Sequence, residues 1–192
     1  MKVMSSRPTR YAYIAHCLLN ANSKVDEWAP CAGVHPKLLS LLRDKGYVIR
    51  QMPCPELAFA GLNRFWQVRQ QYETPAYRRH CTALAEPVAA LMALDLAEPG
   101  AEVVLVGVDG SPTMGVRFTS SGPDWGGRPD KPGDFDSDTV TGKGIFVEIL
   151  FDQLAMRGIE HPRVTAMTTD MPGGDEATAL GDIAAVLDGG AG

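Results

Sequence analysis

The most constraining feature of the sequence is an apolar run at residues 101–108, Ala-Glu-Val-Val-Leu-Val-Gly-Val. This near-continuous series of β-branched and apolar residues is typical of a strand with both of its faces covered. Such strands occur mainly where helices pack on both sides of a parallel sheet. The run therefore predicts an α/β protein.

Three further strands and four helices alternate with this run along the chain. The other strands are predicted at residues 11–17, 47–52 and 163–168. Apolar residues at helical spacing predict helices at 35–45, about 75–96, 145–156 and 176–187, with a break or kink at Pro87. This alternation predicts a doubly wound, mostly parallel sheet of Rossmann-like type, with right-handed crossovers and helices on both faces.

The domain organisation is expected to be simple. The chain of 192 residues suits a single α/β domain over residues 1–192, without internal repeats or linkers. Residues 115–144 are rich in Gly, Pro and Asp and predict a long loop, and such loops are often functional. Its Trp125 and Phe135 are candidates to fold over a bound planar ligand. Residues 189–192 are expected to form a flexible tail.

Charge and cysteine usage narrow the class of partner. The net charge is −5 and no basic block is present, which disfavours a nucleic-acid polymer as partner. The apolar stretch after Arg10 is too short for a signal peptide or a membrane span, so we expect a cytoplasmic protein without a membrane partner. In a reducing compartment, the four cysteines are thiols or metal ligands rather than disulfides. No heptad pattern is sustained, and the sequence makes no prediction of oligomeric state.

Polar and sulfur-bearing residues follow each predicted strand at its carboxyl end. Cys17 follows the first strand, Cys54 and Glu56 follow the second, Asp109 and Ser111 follow the third, and Asp170 follows the fourth. Ligands of open α/β sheets bind in the crevice outside the carboxyl ends of the strands. The sequence therefore predicts one site, for a small molecule, along this edge of the sheet.

Several other readings of these residues are weaker. The Gly110-Ser111-Pro112 segment lacks both the GxxxxGK[ST] and the GxGxxG patterns of nucleotide-binding loops. Ser111 also lies outside a GxSxG pattern, which argues against an α/β-hydrolase. Cys81 lies in the middle of a predicted helix and is expected in the core, while the role of Cys31 is open.

Four motifs in this order resemble the thiouracil desulfurase family of iron–sulfur proteins, and in particular its shorter, desulfidase branch. The resemblance spans residues 11–158. The motifs are Cys17-Leu-Leu-Asn-x-Asn-Ser-Lys, Gln51-Met-Pro-Cys-Pro-Glu with Gly61-Leu-x-Arg, Gly107-Val-Asp-Gly-Ser-Pro, and Gly142-Lys-Gly-Ile-Phe-Val-Glu.

The resemblance implies an enzyme that removes sulfur from a small thiolated heterocycle, of the thiouracil type, and replaces it with oxygen from water. It implies a [4Fe–4S] cluster held by three cysteines, with one iron open to the substrate's sulfur. Cys17 and Cys54 match the first two cluster ligands. An open iron suits a sulfur ligand because both are soft.

The remaining site residues are expected around that cluster. Glu56 and Ser111 are candidates for proton transfer and substrate positioning, and Asp109 is a further candidate acid or base. The expected substrate-binding residues are Asn20, Lys24, Arg64 and Gly110.

The third cluster ligand is where the chain departs from the family pattern. The family has cysteine within Ser-Pro-Ser-Cys-Gly, whereas this chain reads Ser111-Pro-Thr-Met114-Gly. Iron–sulfur clusters are held chiefly by thiolates, so three alternatives stay open. Cys31 supplies the third thiolate, Met114 ligates through its thioether, or the cluster is lost. In the last case the crevice binds a small heterocycle, or uses Glu56 and Asp109 or a cysteine nucleophile for hydrolysis or transfer.

Overall fold

The main sheet has four parallel strands, as the alternation of elements predicts. The computed structural model describes residues 8–25, 29, 31–123 and 138–190. Within them the strand order of this sheet is β2–β1–β3–β6. The strands are β1 (Arg10–Ile14), β2 (Tyr47–Gln51), β3 (Glu102–Val108) and β6 (Arg163–Met167).

Helices cover both faces of this sheet, which confirms the doubly wound, Rossmann-like class. The two helices α2 and α7 contact each other, and α5 and α6 form a second pair. The described helices are α1 (His16–Leu19), α2 (Pro36–Asp44), α3 (Pro55–Ala60), α4 (Arg69–Tyr72), α5 (Pro75–Leu96), α6 (Ile145–Met156) and α7 (Glu176–Leu187).

The strand order reverses at β1, and this reversal fixes where a ligand can bind. Strand β1 pairs in parallel with β2 on one side and with β3 on the other, so that Ile14 is level with both Gln51 and Val106. The chain runs from β1 outward to β2 and then returns across β1 to β3. In doubly wound sheets a crevice opens at the carboxyl ends of the strands where the order reverses.

The core is built on β1 and β3, whose side chains are almost entirely buried. On the α5 face, the Tyr13 hydroxyl donates a 2.6 Å hydrogen bond to Asp95. Arg50 of β2 donates two bonds, of 3.0 and 2.8 Å, to the same carboxylate. The buried Asp95 is thus paired and hydrogen-bonded, as a charge in a core must be.

Helix α5 is unbroken through Pro87. Proline removes one backbone hydrogen bond and disfavours the preceding turn. Here the Thr74 hydroxyl caps the helix by accepting from the Tyr77 N–H at 3.2 Å, and Cys81 and Met92 belong to a fully buried stripe along it. Packing of that stripe outweighs the loss at Pro87, so the helix is not broken there, and of the predicted break or kink the break is wrong. The burial of Cys81 confirms its place in the core.

Two other elements differ from the sequence-based expectations. Strand β1 ends at Ile14, and His16 and Cys17 lie in the short helix α1 rather than in the strand. An antiparallel hairpin of β4 (Phe118–Ser121) and β5 (Asp138–Thr141) occupies part of the segment 115–144, for which the sequence predicts a loop. Trp125 and Phe135 lie outside the described residues. None of the described helices is long and apolar enough to cross a membrane.

Candidate functional site

A cavity of about 330 Å³ lies outside the carboxyl ends of the strands. We call it the strand-end cavity. Its lining comes from the segments that follow β1, β2, β3 and β6, and from the β4–β5 hairpin. Small-molecule sites usually measure roughly 300–1,000 Å³, so this cavity suits a ligand of one or two rings.

Cys17 reaches the cavity from the end of β1. The Ala15 N–H donates a 2.9 Å bond to the Val106 carbonyl of β3, and the chain then turns into α1. Helix α1 therefore starts at the switch point between β1 and β3. Burial raises the pKa of the Cys17 thiol to about 12, against the opposing charge of Lys24. The thiol is thus neutral near pH 7.

Cys54 reaches the cavity from the end of β2, as the N-cap residue of α3. Its Sγ accepts a 3.4 Å bond from the Leu57 N–H. Pro53 and Pro55 flank it and restrict its backbone. Burial, and secondly the carboxylate of Glu56, raises the pKa of this thiol as well.

A tight turn brings Met114 back to the end of β3. The Met114 carbonyl accepts a 2.9 Å bond from the Val108 N–H, and the Ser111 hydroxyl accepts a 3.0 Å bond from the Met114 N–H. Gly107 permits this approach, because a Cβ at its position would lie 2.4 Å from the Met114 carbonyl oxygen. Ser111 therefore shapes the turn that carries Met114 into the cavity lining.

Glu56 is held between two partners at the cavity. The Thr113 hydroxyl donates a 2.6 Å bond to Oε1, and Arg64 donates two 3.4 Å bonds to Oε2. Arg64 also donates a 2.7 Å bond to the Ser23 carbonyl in the segment that follows β1. The side chains of Arg64 and Glu56 are 5% and 16% exposed, so this ion pair is largely shielded from water.

A second ion pair joins opposite sides of the cavity. Lys24 Nζ lies 2.9 and 2.7 Å from the two carboxylate oxygens of Asp170, in the segment after β6. The two side chains are 8% and 20% exposed. The described lining of the cavity therefore carries two cations and two carboxylates, paired one to one, and these residues present no large net charge to a ligand.

The β4–β5 hairpin supplies hydroxyl groups to the cavity lining. Ser120 of β4 and Thr139 of β5 both line it, as does Trp66 from the segment before α4. The buried Oγ of Ser120 has no hydrogen-bond partner among the described residues. A buried hydroxyl without a partner is costly, so Ser120 is suited to bind a polar ligand atom.

The structure brings most of the candidate site residues together. The candidates that line the strand-end cavity are Cys17, Lys24, Cys54, Glu56, Arg64, Gly110, Ser111 and Met114. Three others, Asn20, Cys31 and Asp109, are not part of the described lining. Cys31 donates its thiol hydrogen to the Val34 carbonyl at 3.5 Å, and the Asn20 amide lies 3.4 Å from the His16 ring.

Asp109 is bonded to the turn that leads to β4 and does not belong to the described lining of the cavity. It is fully buried. Its Oδ1 accepts bonds of 2.9 and 3.0 Å from the N–H groups of Val116 and Arg117, and Oδ2 accepts a 3.1 Å bond from the Arg117 side chain. These bonds order the turn that leads to β4 and leave little capacity for acid or base chemistry in the cavity.

Several lining residues were not among the named site candidates, and of these Asp170, Thr113, Trp66 and Ser120 contribute polar or aromatic groups. Asp170 follows the fourth strand and so lies at the edge where the sequence predicts the site, although the sequence assigns it no role. Thr113 directly follows the third motif, which ends at Pro112. Trp66 and Ser120 carried no sequence signal, because their places depend on elements that the hydrophobic pattern did not predict.

The donor set can be compared with the cluster that the resemblance implies. Cys17 and Cys54 line the cavity, whereas neither Cys31 nor Cys81 is among the described lining residues. Among those parts of the chain that the structure describes, no three His, Cys, Asp or Glu side chains are grouped for a metal ion. Two thiols and the Met114 thioether do not fit a cluster held by three thiolates.

Comparisons with known proteins point to one family. The family described as "Putative 2-thiouracil desulfurase" matches residues 12–129. A relative from Methanocaldococcus jannaschii, described as "Uncharacterized protein MJ0003", is 30% identical over 107 residues, which cover 56% of this chain and 68% of the relative. No solved structure matches the chain. The family match includes the segments after β1, β2 and β3 that line the cavity.

Proposed function

Because the chain belongs to the putative 2-thiouracil desulfurase family, we propose that it replaces the sulfur of a small thiolated heterocycle with oxygen from water. The observation that supports this most is the composition of the strand-end cavity. Two thiols, Cys17 and Cys54, line it together with the carboxylate of Glu56. Thiols are polarizable and suit a thiocarbonyl sulfur, while a carboxylate can accept a proton from water.

The proposed reaction is a hydrolysis without net redox change. Water adds to the thiocarbonyl carbon, the carbon–sulfur bond breaks, and sulfur leaves as hydrosulfide while the ring keeps the oxygen. Glu56 is the proposed base that accepts the proton of the attacking water. Arg64 holds this carboxylate through Oε2, and Thr113 orients it through Oε1.

The other end of the cavity is the proposed binding site for the polar edge of the ring. Ser120 and Thr139 bring hydroxyl groups, which can both donate to a ring carbonyl and accept from a ring N–H. Trp66 adds an aromatic side chain to the same lining. A cavity of about 330 Å³ restricts the ligand to a free base or a similar small heterocycle rather than a polymer.

Turnover of 2-thiouracil tests the proposal. The purified protein is incubated with 2-thiouracil, and hydrosulfide and uracil are quantified. We expect equal amounts of the two products, and we expect Glu56→Gln to abolish them. Because this change leaves the buried Arg64 without its counter-charge, it should also lower the melting temperature by roughly 6–12 °C, so the assay is run well below that temperature and folding is checked by circular dichroism. The matched control is Glu160→Gln, which changes an exposed carboxylate away from the cavity. Hydrosulfide release that is unchanged in Glu56→Gln would rule out the base assigned here.

A binding role without turnover is the second candidate. It is favoured by one observation, that the donor set lacks the third thiolate of the family's cluster site. On this alternative the protein binds 2-thiouracil more tightly than uracil and releases no hydrosulfide. Calorimetric titration with both bases, alongside the turnover assay, separates the two candidates.

A further inference from the structure

Three of the four sulfur-bearing side chains in the described lining of the strand-end cavity come from β1 and its two neighbours, and the fourth, Met171, follows β6. Cys17 follows β1, Cys54 follows β2, and Met114 is bonded back to the end of β3. Strand β1 lies between the other two and pairs with both. Neighbouring strands of a sheet are about 4.8 Å apart. The topology therefore brings three sulfur donors to one edge of the sheet, next to one another.

Each of these residues is fixed by its own local contacts. The Val108 N–H and the Ser111 hydroxyl hold the backbone of Met114. The N–H of Leu57 bonds to the Cys54 sulfur, and α1 begins one residue before Cys17. These contacts fix the backbone around each of the three residues, so a metal ion requires only that their side chains turn toward one another.

The chemistry of this donor set selects the ion. Zinc sites usually take four ligands from Cys, His, Asp or Glu, and within the described residues no three such side chains are arranged so that they could hold a metal ion. A four-iron cluster in this family pattern requires a third thiolate, whereas the third position carries a thioether. Thiolate and thioether together are the donors that favour Cu(I). We propose that Cys17, Cys54 and Met114 bind a single Cu(I) ion in place of an iron–sulfur cluster.

Binding releases protons and involves no change of oxidation state. The Cys17 and Cys54 thiols each lose a proton to solvent, Cu(I) forms bonds to both thiolates, and the Met114 thioether adds a third bond. Two thiolates and one Cu(I) leave a net charge of −1 on the site.

This inference goes beyond the proposed function and is tested without any substrate. The reduced protein is titrated anaerobically with Cu(I), kept reduced by ascorbate, in competition with a coloured Cu(I) chelator. We expect uptake of one Cu(I) per chain, loss of that uptake in Cys17→Ser and in Cys54→Ser, and weaker binding in Met114→Leu. Cys31→Ser is the matched control and should bind as the unaltered chain does, because Cys31 is not in the described lining. Absence of uptake, or uptake that Met114→Leu leaves unchanged, would overturn the proposal.

Reconstitution with iron and sulfide supplies the opposite test. The unaltered chain should gain no thiolate-to-iron absorption near about 400 nm, whereas Met114→Cys, which completes three thiolates, should gain it. A cluster with four irons in the unaltered chain would contradict the inference. A Met114→Cys chain that folds but holds no more iron than the unaltered chain would contradict the assignment of Met114 as the third donor.

Discussion

The hydroxyl of Thr113 donates a 2.6 Å hydrogen bond to Oε1 of Glu56 and so joins the segment after β3 to the segment after β2. Thr113 is almost fully buried. Arg64 occupies the other carboxylate oxygen. The position of the carboxylate is therefore fixed from both sides, as a base that must face a bound water requires.

Removal of the Thr113 hydroxyl tests this positioning role. Thr113→Val should lower kcat for 2-thiouracil by roughly tenfold, with little change in KM. This loss is smaller than the roughly 10²- to 10⁴-fold that a general base contributes, because Glu56 itself is retained. Thr113→Ser keeps the hydroxyl and should restore most of the rate. The control, Thr82→Val, removes an exposed hydroxyl that bonds only to the Arg78 carbonyl on α5. A Thr113→Val enzyme with unaltered kcat would show that the bond is structural alone.

Ser120 provides a test of ligand binding by the hairpin. Ser120→Ala should weaken binding of the heterocycle by about 3- to 12-fold, the worth of about one hydrogen bond, and should not lower the free energy of unfolding. Thr165→Val is the matched control, since the Thr165 hydroxyl is equally buried without a partner among the described residues but lies in β6, away from the cavity lining. Calorimetric titration measures both. Equal affinities of the two variants for the heterocycle would show that the Ser120 hydroxyl does not bind it.

The Lys24–Asp170 pair should stabilise the fold more than a surface pair does. Asp170→Asn leaves the 8%-exposed Lys24 without its counter-charge and should lower the free energy of unfolding by about 3 kcal/mol. Asp188→Asn, which removes the 65%-exposed partner of Lys45, should cost less than about 1 kcal/mol. Urea unfolding of both variants measures the difference. Equal losses would mean that the Lys24 pair is no more shielded than the surface one.

Buried thiols should make the fold less stable at mildly alkaline pH. Burial raises the pKa of both Cys17 and Cys81 to about 12 in the folded chain, whereas an unfolded thiol has a pKa near 8.5. Above that value the unfolded chain loses protons that the folded chain keeps, so stability falls as pH rises. The expected slope approaches about 1.4 kcal/mol per pH unit for each thiol. Urea unfolding of the reduced, metal-free protein between about pH 8 and 9 measures it, where unfolded tyrosines, with a pKa of about 10, are still largely protonated.

Cys17→Ser is the internal comparison for that measurement. It removes one of the shifted groups and should reduce the slope. A free energy of unfolding that stays constant across the window would contradict the burial of both thiols.

The sheet was predictable because its signals are local. The apolar run of β3 and the alternation of strands and helices each require only neighbouring residues, and the rule for strand ends then places Cys17 and Cys54 at one edge. The hairpin was not predictable in the same way. Its strands, Phe118–Ser121 and Asp138–Thr141, are short and polar, and they form only through pairing with each other across an intervening segment.

The direction of individual side chains could not be predicted from the sequence either. Glu56 and Asp109 both follow strand ends, yet Glu56 lines the cavity while Asp109 turns toward the backbone N–H groups of Val116 and Arg117. The carboxylate of Glu56 thus faces the cavity, whereas that of Asp109 is bonded within the turn. This difference depends on the path of the backbone over residues 109–118, which no sequence motif predicts.

Labelled water tests the central claim most directly. The protein is incubated with 2-thiouracil in water enriched in the heavy oxygen isotope, and the product base is examined by mass spectrometry. We predict uracil that carries one heavy oxygen at the former sulfur position, formed together with an equal amount of hydrosulfide. Recovery of unchanged 2-thiouracil, or of product without the heavy isotope, would contradict sulfur replacement by water in the strand-end cavity.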